Sequence, residues 1–377
     1  LNNPGFLFTV LAFLLVIGPL IFIHELGHYF VGRWFGVRAE TFSIGFGREI
    51  TGWTDARGTR WKVGWLPLGG YVKFKGDMNP ASTPDDAWLS LPAAERAETF
   101  QAAKLWQRFL IVAAGPVTNF LFAIVVLMIL FGSVGYPTTP SLIGGVERGS
   151  VAQAAGFRPG DRIVAIDGGA IDLFADLQTY VALRPEQPMR FTVERGGQAV
   201  QIDATPAARI ERDSFGNEAR IGRLGLGPSG VRRFERLPLV RLPGAAVDTT
   251  IDSVKTMVTA LSQVITGRRS VSELGGPLKI ATVSGQQASL GWLPFVWLMV
   301  MVSINLGFIN LLPIPLLDGG HLLFYAVEGV RRKPLRPEVQ EWAFRTGLAM
   351  LLALMVFVTF NDLASFGLFS GLGSLIG

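Results

Sequence analysis

The sequence contains no cysteine, which excludes both disulfide cross-links and any thiolate metal site. A metal, if one is bound, must be held by nitrogen and oxygen. Histidine is almost as scarce, with three residues in 377. Charge is thin too: 17% of the residues are Asp, Glu, Lys or Arg, where an ordinary soluble protein carries about 25%. Set beside 49% hydrophobic residues and a mean hydropathy of +0.39, that shortfall implies that lipid solvates part of the chain. The net charge of +5 comes with no nucleic-acid-binding motif and suits anionic lipid head groups instead. The first residue is Leu1 rather than methionine, which suggests a trimmed chain or a non-standard start codon. The first apolar run leads straight into ionisable residues, without a signal-peptide cleavage pattern.

What is present is long apolar runs. A spanning helix needs roughly 20 mostly apolar residues. Four stretches qualify: Phe6 to Ile23, Phe109 to Val134 (interrupted by Pro116 and Asn119), Trp292 to Leu317, and Ala343 to Phe360. Lys and Arg crowd the loop from Arg33 to Arg108 and recur at Arg331, Arg332, Lys333 and Arg336, whereas both termini lack them. The bias of positive charge toward the cytoplasm then places those two loops inside and both termini outside. The long segment from about Gly135 to Gly291 faces outward.

Two of the three histidines fall in one short pattern at the end of the first span, His24-Glu25-Leu26-Gly27-His28. On a helix, positions i and i+4 share a face, so both imidazoles can reach one ion while Glu25 can activate water beside it. Ionisable groups at membrane depth are costly, and by default they suggest function. Zinc in such a site usually has three protein ligands. The third span offers Asp318 at its cytoplasmic end, with His321 as a rival. By the charge-derived topology both the first and third spans run from outside to inside, which brings Asp318 and the histidine pair to similar depth. Pro313 and Pro315 break the helix there, and Gly319 and Gly320 permit unusual backbone angles. A broken helix at that depth must be buried in protein or line a wet cavity.

The pairing of His-Glu-x-x-His with Asn310-Leu311-Leu312-Pro313-Ile314-Pro315-Leu316-Leu317-Asp318-Gly319 resembles the site-2 protease family of intramembrane zinc metalloproteases (peptidase M50 type). The likeness is greatest to the bacterial regulator-of-sigma-E branch. Matching stretches include Gly64 to Lys73, Ala114 to Phe120 and Gly275-Gly276-Pro277. The resemblance implies Zn2+ held by His24, His28 and Asp318, with Glu25 as general base and Asn310 orienting substrate or donating to the oxyanion. It implies that substrates are single-span membrane proteins, such as clipped anti-sigma factors or leftover signal peptides. It also implies a multi-pass protein of the bacterial inner membrane.

A helical substrate hides its carbonyls in hydrogen bonds and must be unwound before attack. The alternation in Trp61 to Trp65 and Tyr71 to Lys75 predicts β-hairpins with a turn at Gly69-Gly70. An edge strand there can take up an extended substrate. Family members are thought to use a membrane-dipping β-loop at this place, which marks Leu68, Gly69, Gly70 and Tyr71 as substrate-binding. Farther on, Gly149 to Gly168 resembles a bacterial PDZ domain, with Ile143-Gly144-Gly145-Val146 as a candidate carboxylate loop. That domain either binds a peptide end or sterically gates access, and the gate is preferred. A second such pattern is missing. Ala245 to Ile265 reads as an amphipathic helix at the membrane surface.

The expected architecture is therefore a polytopic α-helical membrane protein of four spans, with a membrane-associated β-hairpin region and one α+β PDZ domain. Its parts are residues 1–134 (two spans and the hairpin loop), 135–235 (the outward PDZ domain), 236–291 (an interfacial helical segment) and 292–377 (the last two spans). Partners are the bilayer and membrane-protein substrates, not nucleic acid. The main rival function is a catalytically inactive PDZ-bearing membrane scaffold. A metal transporter fits less well, because the ionisable residues cluster at one depth.

Overall fold

A computed structural model describes residues 4–76, 90–212, 218–229, 233–268, 275–333 and 335–365. The expected outer tail beyond Ser365 lies outside these. In chain order the first elements are helix α1 (Phe6–Trp34), strands β1 (Ala39–Thr54) and β2 (Arg60–Phe74), the short α2 (Ala93–Arg96) and the long α3 (Leu105–Ser133). Then come β3 (Tyr136–Thr138), β4 (Ile143–Val146), α4 (Val151–Ala155), β5 (Arg162–Ile166), β6 (Gly169–Ala170) and α5 (Phe174–Ala182). They are followed by β7 (Met189–Arg195), β8 (Gln198–Ala204), β9 (Ala207–Arg212), β10 (Glu218–Arg223), β11 (Leu226–Pro228) and β12 (Arg233–Glu235). The chain finishes in α6 (Leu242–Ile265), α7 (Pro277–Ser289), α8 (Trp292–Asn310), α9 (Asp318–Arg331) and α10 (Pro337–Ser365). It forms two compact units: one of residues 1–126 with 276–359, the other of residues 127–275 with 360–377.

In the first unit, α1, α3, α8 and α10 are long and apolar enough to cross a membrane. Their exposed faces are apolar: Leu7, Leu11 and Leu15 on α1, Val117, Leu121 and Val125 on α3, and Leu348 and Leu352 on α10. Repeats of four residues place such groups on one helix face, which lipid can solvate and water cannot without cost. Exposed Trp34, Trp106, Trp292 and Trp342 lie near helix ends, where aromatic rings favour the membrane interface. The chain is a polytopic membrane protein. The third span is shorter than expected. Its helix stops at Asn310, and residues 311–317 leave helical geometry because Pro313 and Pro315 cannot donate to the ladder. Leu316 takes φ +81 in this break, a conformation that a bulky residue adopts only under constraint.

Within β2 the chain reverses between Gly64 and Gly70, close to the expected turn at Gly69-Gly70, because residues 60–63 and 70–73 run in opposite directions along residues 41–44 of β1. It also reverses at Asp55 to Thr59. There the Asp55 carboxylate accepts from the N–H groups of Arg57 and Thr59, each at 2.9 Å. The glycines serve close packing. A Cβ on Gly69 would press on the Phe46 ring, and one on Gly70 would lie 2.7 Å from Ile21 Cγ2. Both strands bend, so residues 41–44 of β1 pair with 60–63 and also with 70–73 of β2. Residues 70–74 thus form an edge, paired on one side only among the described residues. Phe42, Val72, Phe74 and Phe100 pack this region against Tyr29 of α1 and Ile111 of α3.

In the second unit a four-stranded sheet of order β6-β5-β7-β8 packs against α4 and α5. Ile163, Ile166, Phe174, Leu177, Phe191 and Val193 form its core. Asp167 and Gly168, at φ +50 and +81, make the tight β5–β6 turn that an Asp-Gly pair favours. Ser150 caps α4 by accepting from the Gln153 N–H at 3.2 Å. Ile143 to Val146 is not an open loop but strand β4, paired with β11.

Candidate active site

Two helices of the first unit converge on one point. His24 and His28 lie one turn apart on α1, and Asp318 opens α9 just after the break in the third span. The two Nε2 atoms are 3.2 Å apart. Asp318 Oδ2 is 3.1 Å from His24 Nε2 and 3.6 Å from His28 Nε2. Ligand atoms bound tetrahedrally to zinc at about 2.0–2.1 Å stand about 3.3–3.4 Å from one another. The three distances bracket that value. Asp318 Oδ2 is buried and has no hydrogen-bond partner, as expected of an oxygen whose partner is a cation rather than a donor.

Neighbouring groups prepare the histidines. His28 Nδ1 lies 2.9 Å from the Ile111 carbonyl. A carbonyl only accepts, so that nitrogen carries the proton and Nε2 keeps a free lone pair toward the centre. Gly115 of α3 leaves room for this: a Cβ there would land on His28 Nε2 and 2.9 Å from His24 Cε1. Gly27 similarly lets α1 close on α3, since its Cβ would strike the Ala114 carbonyl and Thr118 Oγ1. Thr118 Oγ1 lies 3.1 Å from the Ile23 carbonyl of the facing helix and 2.8 Å from the Gly115 carbonyl of its own. The stretch Ala114 to Asn119 is thus the wall of the site. Gly319 and Gly320 admit the carbonyls of Leu311, Leu312 and Ile314, where side chains would collide.

Glu25 is buried between the histidines and the β2 edge. The carboxylate lies beside the backbone N–H of Val72, and a Cβ on Gly70 would come within 2.9 Å of its Cγ. Tyr71 turns its ring onto Phe46, with centroids 6.0 Å apart, and the Lys62 ammonium lies 5.2 Å from the Tyr71 centroid. Leu68 lies within β2, and its side chain is outside those described. Asn310 is the last residue of α8 and is half-buried; among the described residues its side chain makes no hydrogen bond. His321 is not in the three-donor group. Its ring packs beside Phe344 and Tyr325, at centroid distances of 5.2 and 6.4 Å. Sequence reasoning placed Gly115 and Asn119 in a stretch matching the family but gave neither a role, although Asn119 is fully buried and touches His24. A lone amide in a uniformly apolar span was the available signal.

A family model described as Peptidase family M50 matches residues 12–354. The chain belongs to this family. Among its relatives, the "Metalloprotease MmpA" of Caulobacter vibrioides is 40% identical over 395 aligned residues, covering 98% of this chain and 99% of that protein. A "Putative zinc metalloprotease" of Agrobacterium fabrum is 43% identical over 367 residues, covering 94% of this chain and 96% of its own length. One of the same description from Rhizobium meliloti is 43% identical over 360 residues, with 94% and 96% covered. This M50 peptidase is accordingly a zinc metalloprotease, and His24, His28 and Asp318 lie close enough to hold the metal.

Proposed function

We propose that this M50 peptidase hydrolyses peptide bonds inside the membrane, within the spanning segments of single-span substrate proteins. The observation that carries this reading is the convergence of His24, His28 and Asp318 beside Glu25 on an apolar spanning helix. The imidazole Nε2 atoms and Asp318 Oδ2 hold zinc, which when bound supplies Lewis acidity and eases deprotonation of water. Glu25 takes a proton from the attacking water and returns it to the leaving amine. Its buried carboxylate lies between the histidines and the β2 edge at Gly70 and Val72, which supports this role.

The edge at Gly70 to Phe74 runs against Glu25 and supports substrate capture by strand addition. A segment held extended there exposes carbonyls that a helix would hide. Leu68, Gly69, Gly70 and Tyr71 form that edge and its approach, and Asn310 faces the same task from the broken third span. The sheet and helices of residues 143–204 act as a PDZ-like domain on the outer side. β4 pairs with β11, Gly145 with Gly227 and Ile143 with Pro228, which closes one edge of β4; a steric gate is preferred to peptide binding. The protein resides in a bacterial inner membrane with both termini outside, and its substrates are clipped anti-sigma factors or leftover signal peptides.

Metal analysis of purified Asp318→Ala tests the ligand set. The variant is expected to lose most of its zinc, whereas Glu25→Gln retains it. Full zinc content without Asp318 would remove that residue from the site.

A further inference from the structure

The two histidines differ in what holds their outer nitrogens. His28 Nδ1 faces a carbonyl, but His24 Nδ1 faces the side-chain amide of Asn119, with Nδ2 placed 3.1 Å away. Asn119 is completely buried in α3, and its Oδ1, also buried, has no hydrogen-bond partner. Its backbone is tied down as well, because Ser303 Oγ of α8 donates to the Asn119 carbonyl at 2.9 Å. The two ends of an amide occupy nearly equivalent positions, and a half-turn of the last torsion exchanges them.

The two orientations have opposite consequences for a metal. With Nδ2 toward the ring, His24 Nδ1 must accept, so its proton sits on Nε2 and blocks ligation. With Oδ1 toward the ring, Nδ1 donates, the orphaned buried oxygen gains a partner, and Nε2 is left bare to match His28. We propose that Asn119 is a positioning residue for the metal site: its Oδ1 accepts the His24 Nδ1 proton and so fixes the ring's tautomer and orientation for zinc. The inference rests on the reading of His24, His28 and Asp318 as ligands. It gives the first histidine what the Ile111 carbonyl gives the second, and it assigns a task to the one amide in the α3 wall. Outer partners of this kind typically change metal affinity by about 10–100-fold when removed.

The test is zinc affinity by chelator competition on the full chain in lipid nanodiscs, for wild type, Asn119→Ala, Asn119→Asp and Asp318→Ala. Asn119→Ala is expected to bind zinc about 10–100-fold more weakly. Asn119→Asp keeps an acceptor for the Nδ1 proton and is expected to stay within about threefold of wild type. Wild-type affinity in Asn119→Ala overturns the proposal. So does Asn119→Asp weakened as much as Asn119→Ala, because the residue would then serve packing alone. If Asn119→Ala does not fold, Asn119→Asp decides: a buried carboxylate bonded to His24 makes zinc raise the melting temperature at least as much as in wild type, and a smaller rise overturns the proposal. Undiminished affinity in Asp318→Ala would instead refute the ligand reading itself, whatever Asn119 does.

Discussion

At Gly115 a hydrogen stands where any other residue would place a carbon against two imidazoles. Gly115→Ala is therefore expected to displace His28 and lower zinc affinity at least about 10-fold, as measured by chelator competition. Retention of wild-type affinity would mean that the histidines approach the metal from another side. The grouping of His24, His28 and Asp318 was legible in the sequence because a turn of helix fixes the spacing of the histidines, and because an aspartate at a helix break in membrane is costly enough to need a reason. Gly115 and Asn119 were not legible. Their tasks depend on which face of α3 meets α1, and an apolar run as long as Phe109 to Val134 shows no strong preference for one face.

At the scale of elements, the β2 edge and the sheet of the second unit make separate claims. A methyl on Gly70 would crowd Glu25 Cγ at 2.9 Å and the Ser43 carbonyl at 2.8 Å. Gly70→Ala is expected to leave zinc content unchanged while slowing cleavage about 100-fold through misplacement of the base. Loss of zinc together with activity would show that the edge supports the metal site rather than Glu25. The alternating pattern identified these residues as strand and put a turn at Gly69-Gly70, where the chain completes a reversal that begins after Gly64. The close approach of Gly70 to Ile21 and Glu25 was not legible, because it depends on the neighbouring α1. Helix α7 falls inside the segment expected to be helical, but its contact was not legible for a related reason: its small and polar residues pack against α1, where Gly285 meets Thr9, and no apolar stripe announces that face.

In the sheet unit, Asp161 has a side chain only 1% exposed. It receives Arg195 Nε and Nη2, each at 2.7 Å, and the Arg158 N–H at 2.7 Å. Burial alone would raise its pKa, but these donors outweigh it and hold the carboxyl below its usual value. Because the folded pKa is the lower one, the pair's stabilisation is full above the unfolded value near 3.9 and fades as pH falls through the folded value. Arg195→Ala is expected to destabilise this unit by about 3–5 kcal/mol at neutral pH, since it leaves a buried charge without its partner. Hydrogen exchange at the β5 and β7 amides checks this, and the difference from wild type should shrink below about pH 4.

For the whole molecule, the absence of cysteine makes the topology directly testable. Single cysteines at exposed Thr51 and Gln198 are expected to react with an impermeant thiol reagent from opposite sides of the membrane, Thr51 from inside and Gln198 from outside. Labelling of both from one side would invalidate the charge-derived orientation. The number of spans followed from hydropathy alone, because each apolar run exceeds what a core helix needs. Their exact ends did not, because the third span yields to its prolines at Asn310 rather than continuing to Leu317.

The central claim is a zinc site with Glu25 as its base, acting on a peptide bond within the bilayer. The most direct measurement is cleavage of a single-span substrate co-reconstituted with the enzyme in liposomes, with the cut mapped by mass spectrometry, for wild type and Glu25→Gln. The expected result is a cut inside the substrate's apolar segment, slowed at least about 100-fold in Glu25→Gln with zinc still bound. Cleavage by Glu25→Gln at the wild-type rate, or a cut confined to the water-exposed flank, would contradict the claim.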